Sequence, residues 1–141
     1  MSTALERGID TLKGQIDARV ESYLSSCVHC GICAEACLFY TETGDARYTP
    51  IYKTVPLRKV WKQTHTFWGK LATSMGLSKP MTEADFADWE ELAYDGCSMC
   101  SRCSMVCPMG IDIAYLIRKV KEGLAAAGYV PKDLQEAGKR A

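Results

Sequence analysis

Apolar residues recur at three- and four-residue intervals over most of the chain, and the intervals predict helices. Leu5, Ile9, Leu12, Ile16, Val20 and Leu24 place an amphipathic helix at about residues 4–25, running into the first cysteines. Pro56 suits a first helical turn, and Leu57, Val60, Trp61, Thr64, Trp68, Leu71 and Met75 carry a second apolar stripe that stops near Gly76. Thr82 followed by Asp85 reads as a capping box, with Phe86, Trp89, Leu92 and Ala93 on one face up to Asp95 and Gly96. Asp112 can cap a last long helix bearing Ile113, Leu116, Ile117, Val120 and Leu124, which Gly128 can terminate. Useful period-two alternation is absent, and only residues 48–55 hint at extended structure through their β-branched and aromatic content. The fold class expected is all-α, with a single domain over residues 1–130 and a polar, loosely held tail over 131–141.

Eight cysteines change this picture. They fall into two runs, Cys27, Cys30, Cys33, Cys37 and Cys97, Cys100, Cys103, Cys107, each spaced C-x2-C-x2-C-x3-C, and Pro108 follows the second. The N-terminus has no apolar stretch of signal type and no run of apolar residues is long enough to span a bilayer, so a cytoplasmic setting is expected. Thiols stay reduced there, and metal ligation rather than disulfide bonding is the expected use of the cysteines. Two residues between ligands let a short loop wrap three corners of a cubane, whereas tetrahedral zinc sites pair C-x2-C knuckles and make poor use of a third and fourth cysteine at these spacings. The fourth cysteine of a run points away from the other three. In the bacterial two-cluster arrangement it ligates the other cluster, which assigns Cys27, Cys30, Cys33 and Cys107 to one 4Fe-4S cluster and Cys97, Cys100, Cys103 and Cys37 to a second. Clusters serving only as structural pins are an alternative, but two held close together favour conduction.

Lysine plus arginine balance aspartate plus glutamate at 17 each, yet eight thiolates against two oxidised clusters would leave the loaded protein at roughly −4. That argues against nucleic acid as a partner. Charge is segregated: every charged residue of 46–82 is basic and every one of 83–95 is acidic. Antiparallel helices complementing each other account for this, and steered docking of a redox partner is the alternative. Trp61, Phe67 and Trp68 among lysines also admit peripheral contact with a membrane. Gly31 permits close approach of backbone to sulfur, and Ser101 and Arg102 at the matching place in the second run imply different potentials. His29 reads as an ordinary loop histidine. Catalysis by the chain alone lacks residues: no cysteine is spare, and neither a nucleotide-binding glycine motif nor a nucleophile or paired-carboxylate constellation is present.

The segment Cys27-Val28-His29-Cys30-Gly31-Ile32-Cys33, the stretch Pro56-Leu57-Arg58-Lys59-Val60, Trp89 upstream of the second run, and Cys107-Pro108 followed by Gly110-Ile111-Asp112-Ile113 resemble the α-helical ferredoxins, especially the C-type subunits of heterodisulfide reductase. Leu38 departs from the proline many such proteins carry after the fourth cysteine, and residues 73–87 form a longer stretch. The resemblance implies an α-helical dicluster ferredoxin with flanking helices. It implies a subunit passing single electrons between a flavoprotein and a catalytic iron-sulfur subunit with CCG motifs, which acts on disulfide or sulfur compounds. The chain itself has no CCG motif. The alternatives are a free-standing dicluster ferredoxin, or the iron-sulfur domain of a succinate, glycerol-3-phosphate or glycolate oxidising system.

Overall fold

The computed structural model describes residues 3–140, and all regular structure among them is helical. Thr3 and Glu6 form a reciprocal capping box at the start of α1 (Ala4–Gly14), where the Thr3 N–H donates to the Glu6 carboxylate at 2.7 Å. The apolar stripe expected to make one helix of residues 4–25 makes two. Asp17 accepts the Val20 N–H at 2.8 Å and starts α2 (Ala18–Ser26), because a carboxylate that captures a nearby backbone donor ends one helix and opens another. Leu12, Val20 and Leu24 are buried on both sides of the break, so the stripe still faces one core.

Between the cysteine runs lie α3 (Ile32–Glu35), α4 (Leu38–Thr43), a 3-10 turn at Ala46–Tyr48 and α5 (Pro50–Lys53). The extended structure suggested for residues 48–55 is not formed. Thr49 caps α5 and Pro50 occupies its first turn, and these local signals override the β-branched composition. The second stripe is also divided, into α6 (Val55–His65) and α7 (Phe67–Ser74), with Thr66 extended between them. Gly69 explains the fold-back: a Cβ there would lie 1.7 Å from the Lys62 carbonyl oxygen, so α7 can turn against the end of α6 only over a glycine. Leu57 and Val60 are buried, whereas Phe67, Trp68, Leu71 and Met75 of the same stripe stand exposed.

Thr82 and Asp85 form the capping box of α8 (Glu83–Glu90), which widens into a π turn over Glu91–Asp95 before the second cysteine run. After α9 (Arg102–Met105), Asp112 caps α10 (Ile113–Ala126), whose chain reverses at Gly128 with φ of +84°. The tail is polar as expected but helical, as α11 (Lys132–Arg140), with no buried side chain.

Helix α10 is the spine of the core. Its Leu116, Ile117, Val120 and Leu124 meet Leu12, Leu57, Phe86, Trp89 and Leu92 from the surrounding helices. Each fully buried side chain of this kind is worth about 1.5–3 kcal/mol. Contact between α1 and α10 is close because glycines face across it: a Cβ on Gly8 would meet that of Ala127 at 2.7 Å, and one on Gly123 would meet Leu12 at 2.5 Å. Charge segregation serves this packing in part, through Arg47–Asp88 at 3.1 Å and Lys59–Asp85 at 3.9 Å. Among the described residues Arg58, Lys62, Lys70 and Lys79 form no ion pair.

Candidate metal centre

The two cysteine runs fold as copies of one another. His29 and Met99, two residues after the first cysteine of each run, have φ of +56° and +58°, and Gly31 and Ser101, after the second cysteine, have φ of +81° and +62°. Left-handed backbone costs a residue with a side chain roughly 1–2 kcal/mol. Among the described residues His29, Met99 and Ser101 are the only non-glycines to adopt it. Strain confined to two matching loops marks them as built for something other than stability. A left-handed residue before and after the central cysteine coils the chain tightly around it. Gly31 and Ser101 then start α3 and α9, with matching turns from Ala34 N–H to the Gly31 carbonyl at 2.9 Å and from Ser104 N–H to the Ser101 carbonyl at 3.0 Å. The fourth cysteines are reached alike, by Cys37 N–H to Ala34 and Cys107 N–H to Ser104.

Helices α3 and α9 pack together, which crosses the two runs. One cavity is lined by Cys27, Cys30, Cys33 and Cys107, and another by Cys37, Cys97, Cys100 and Cys103. Every sequence-predicted site residue therefore lies in a cavity wall, three from one run and the fourth from the other. The thiols ring these spaces rather than converge, and among the described residues no three His, Cys, Asp or Glu side chains are grouped to hold a single ion. Cys30 and Cys100 are exposed at the mouths, and Cys33 and Cys103 lie deepest. Burial pushes the Cys33 thiol up, with Cys27, Cys30 and Cys107 adding to the effect, and it pushes Cys103 up to about 11. Cys33 contributes to the shift of Cys103, so the innermost thiols of the two cavities lie within each other's field.

A profile of the 4Fe-4S dicluster domain matches residues 23–111, from the end of α2 to the turn before α10, and so takes in both loops and both cavities. The chain belongs to the 4Fe-4S dicluster domain family. It is 33% identical over 75% of its length to the Hdr-like menaquinol oxidoreductase iron-sulfur subunit of Archaeoglobus profundus, and 32% identical over 88% to iron-sulfur subunit 2 of the same kind from Archaeoglobus fulgidus. To the D-type subunit of the dihydromethanophenazine:CoB--CoM heterodisulfide reductase of Methanosarcina barkeri it is 27% identical over 81%. The matches agree with the affiliation to heterodisulfide reductase expected from the cysteine loops. The chain spans 19%, 22% and 27% of these relatives, so they are much larger proteins. No solved structure matches the chain significantly.

The surroundings of the two cavities of this dicluster domain differ. The first has Arg58 and His29 in its wall, with the guanidinium against the imidazole and its Nε buried without a partner. Arg58, then burial and Lys62, hold the imidazole below the usual histidine range. His29 thus stands at the cavity, although nothing in the sequence separated it from an ordinary loop residue. The second cavity is walled by Lys53, whose side chain is buried. Its ammonium donates to the Gly96 carbonyl and lies 3.7 Å from Cys37 Sγ and 5.3 Å from the centre of the Phe39 ring. Lys121 donates to the Cys97 carbonyl at 3.2 Å, and burial pushes it down while Cys97 opposes. Read along the chain, Lys53 is one of a series of cations with nothing to set it apart; only the fold of α5 under the second loop turns it inward.

Ser104 joins the second loop of the domain to the spine. Its hydroxyl donates to Asp112 Oδ1 at 3.1 Å and accepts the Ala114 N–H at 3.0 Å, while the same carboxylate oxygen accepts the Tyr115 N–H and caps α10. The residue after Cys103 is thereby fixed to the most buried helix.

Proposed function

We propose that the chain holds two 4Fe-4S clusters, one on Cys27, Cys30, Cys33 and Cys107 and the other on Cys37, Cys97, Cys100 and Cys103, and conducts electrons between partner proteins. The observation that carries this reading is the pair of adjoining cavities, each ringed by three cysteines of one run and the fourth of the other. A 4Fe-4S cluster takes up and releases one electron without rearranging its ligands. The polypeptide does the rest. The two loops set the thiols around the cavities, Ser104 ties the second loop to the core, and the exposed Cys30 and Cys100 leave each cavity one face toward solvent. Helices α3 and α9, which carry Cys33 and Cys103, pack together and bring the two sites side by side, so an electron entering at one mouth can leave at the other.

The names of the relatives, for a menaquinol oxidoreductase and a heterodisulfide reductase, support a place in an Hdr-like redox complex. In this reading the chain, or the longer protein it is part of, stands on the cytoplasmic side between a flavoprotein and a CCG-type iron-sulfur subunit that acts on disulfide or sulfur compounds. It is not an enzyme by itself. No helix among the described residues is long and apolar enough to cross a membrane. Co-purification from the native source tests the placement: a flavoprotein and a CCG-type protein recovered in fixed ratio support it, and a lone monomer that exchanges electrons with many acceptors overturns it.

A further inference from the structure

Of the charged groups near the thiols, Lys53 is the most enclosed. Only 3% of its surface is exposed, and its ammonium is fixed between the Gly96 carbonyl, just before the second loop, and the sulfur of Cys37, which reaches that cavity from the first run. A buried ammonium costs several kcal/mol of desolvation unless negative charge compensates it. The Gly96 carbonyl is one compensating partner, but the described structure places no carboxylate within 4 Å of Lys53. Lys121 lies close by at the Cys97 carbonyl. The first cavity has only Arg58 among its lining cations, and Arg58 is less enclosed than Lys53.

We infer that Lys53, supported by Lys121, is a positioning residue whose fixed charge makes the iron-sulfur centre on Cys37, Cys97, Cys100 and Cys103 the easier of the two to reduce. The inference rests on the two-cluster reading above. A cluster with four thiolates is anionic and becomes more so by one charge on reduction, so a nearby buried cation stabilises the reduced form more than the oxidised one. One electron given by a one-electron donor to the centre of Cys27, Cys30, Cys33 and Cys107 then passes to the second centre. The first is reoxidised and the second reduced by one electron, with no proton or bond transferred. A chain holding one electron therefore keeps it at the centre nearest the Cys100 mouth.

The test is a redox titration of the anaerobically purified holoprotein followed by EPR, for the wild type, K53M, K53R and K121M, with iron and acid-labile sulfide measured on each. The wild type is expected to show two one-electron transitions. K53M should move the higher one to lower potential and leave the other in place. K53R should keep it near the wild-type value, and K121M should move it in the same direction by less. Should K53M fail to retain iron, K121M decides alone. An unmoved upper transition in variants with full iron, a shift confined to the lower one, or K53R moving as far as K53M overturns the inference. A wild type with the iron of a single cluster overturns instead the reading on which it rests.

Discussion

Cys107 ends the second cysteine run, yet it stands in the same cavity wall as Cys27, which begins the first. Crossed ligation predicts that C107A damages the cluster held by the first run and spares the one nearest to it in sequence. EPR of the reduced variant should show one remaining 4Fe-4S signal and roughly half the iron. C37A should remove the other signal. Recovery of an intact first-run cluster in C107A would refute the crossed assignment.

The Ser104 hydroxyl joins the second loop to the head of the spine, apart from the Lys121 bond to the Cys97 carbonyl further along α10. S104A removes the bond to Asp112 and leaves the Ala114 N–H without its acceptor, so a loss of about 1–3 kcal/mol in holoprotein stability is expected. Denaturant unfolding monitored by helical circular dichroism checks the size. Faster loss of visible cluster absorbance in the same variant checks that the loop is the part released.

Gly123 sits where α10 presses on α1. Leu12 is fully buried and has no space to withdraw into, so G123A should destabilise the protein by about 1–3 kcal/mol through overpacking. G14A, at a position with nothing within 4 Å of the added methyl, should cost nothing measurable or stabilise slightly. Comparing the two midpoints separates the steric effect from the general effect of replacing glycine in a helix.

Much of this fold could be read from its sequence, and the misreadings share a cause. The stripes of α1 with α2 and of α6 with α7 were continuous in period but not in backbone. Apolar spacing reports which face is buried; whether the chain stays straight depends on single residues such as Asp17, whose carboxylate takes a backbone donor, and Gly69, which permits a contact no other residue could make. The caps at Thr82 and Asp112 and the turn at Gly128 are local signals, and they were legible. The grouping of the cysteines around two cavities was legible because the same spacing recurs in both runs. Lys53 was not, since burial of a lysine depends on what folds over it, and that lies more than forty residues away at Gly96.

The cap at the head of α8 gives a pH dependence. The backbone N–H of Thr82, with its hydroxyl and Lys59 assisting, holds the Asp85 carboxyl below the usual carboxylate range. A depressed carboxylate contributes stability that is fully present above the unfolded-state pKa of about 3.9 and disappears as pH falls through the lower folded value. T82A should cost about 1 kcal/mol at neutral pH, and D85N should flatten the acid limb of the stability curve. An acid limb identical in D85N and wild type would remove Asp85 from the account.

The most direct test of the central claim is iron and acid-labile sulfide content, with EPR after reduction, on protein purified without oxygen. Two clusters predict about eight iron and eight sulfide per chain and two magnetically interacting 4Fe-4S signals. Zinc in place of iron, or the iron of one cluster with a single isolated signal, would contradict the account.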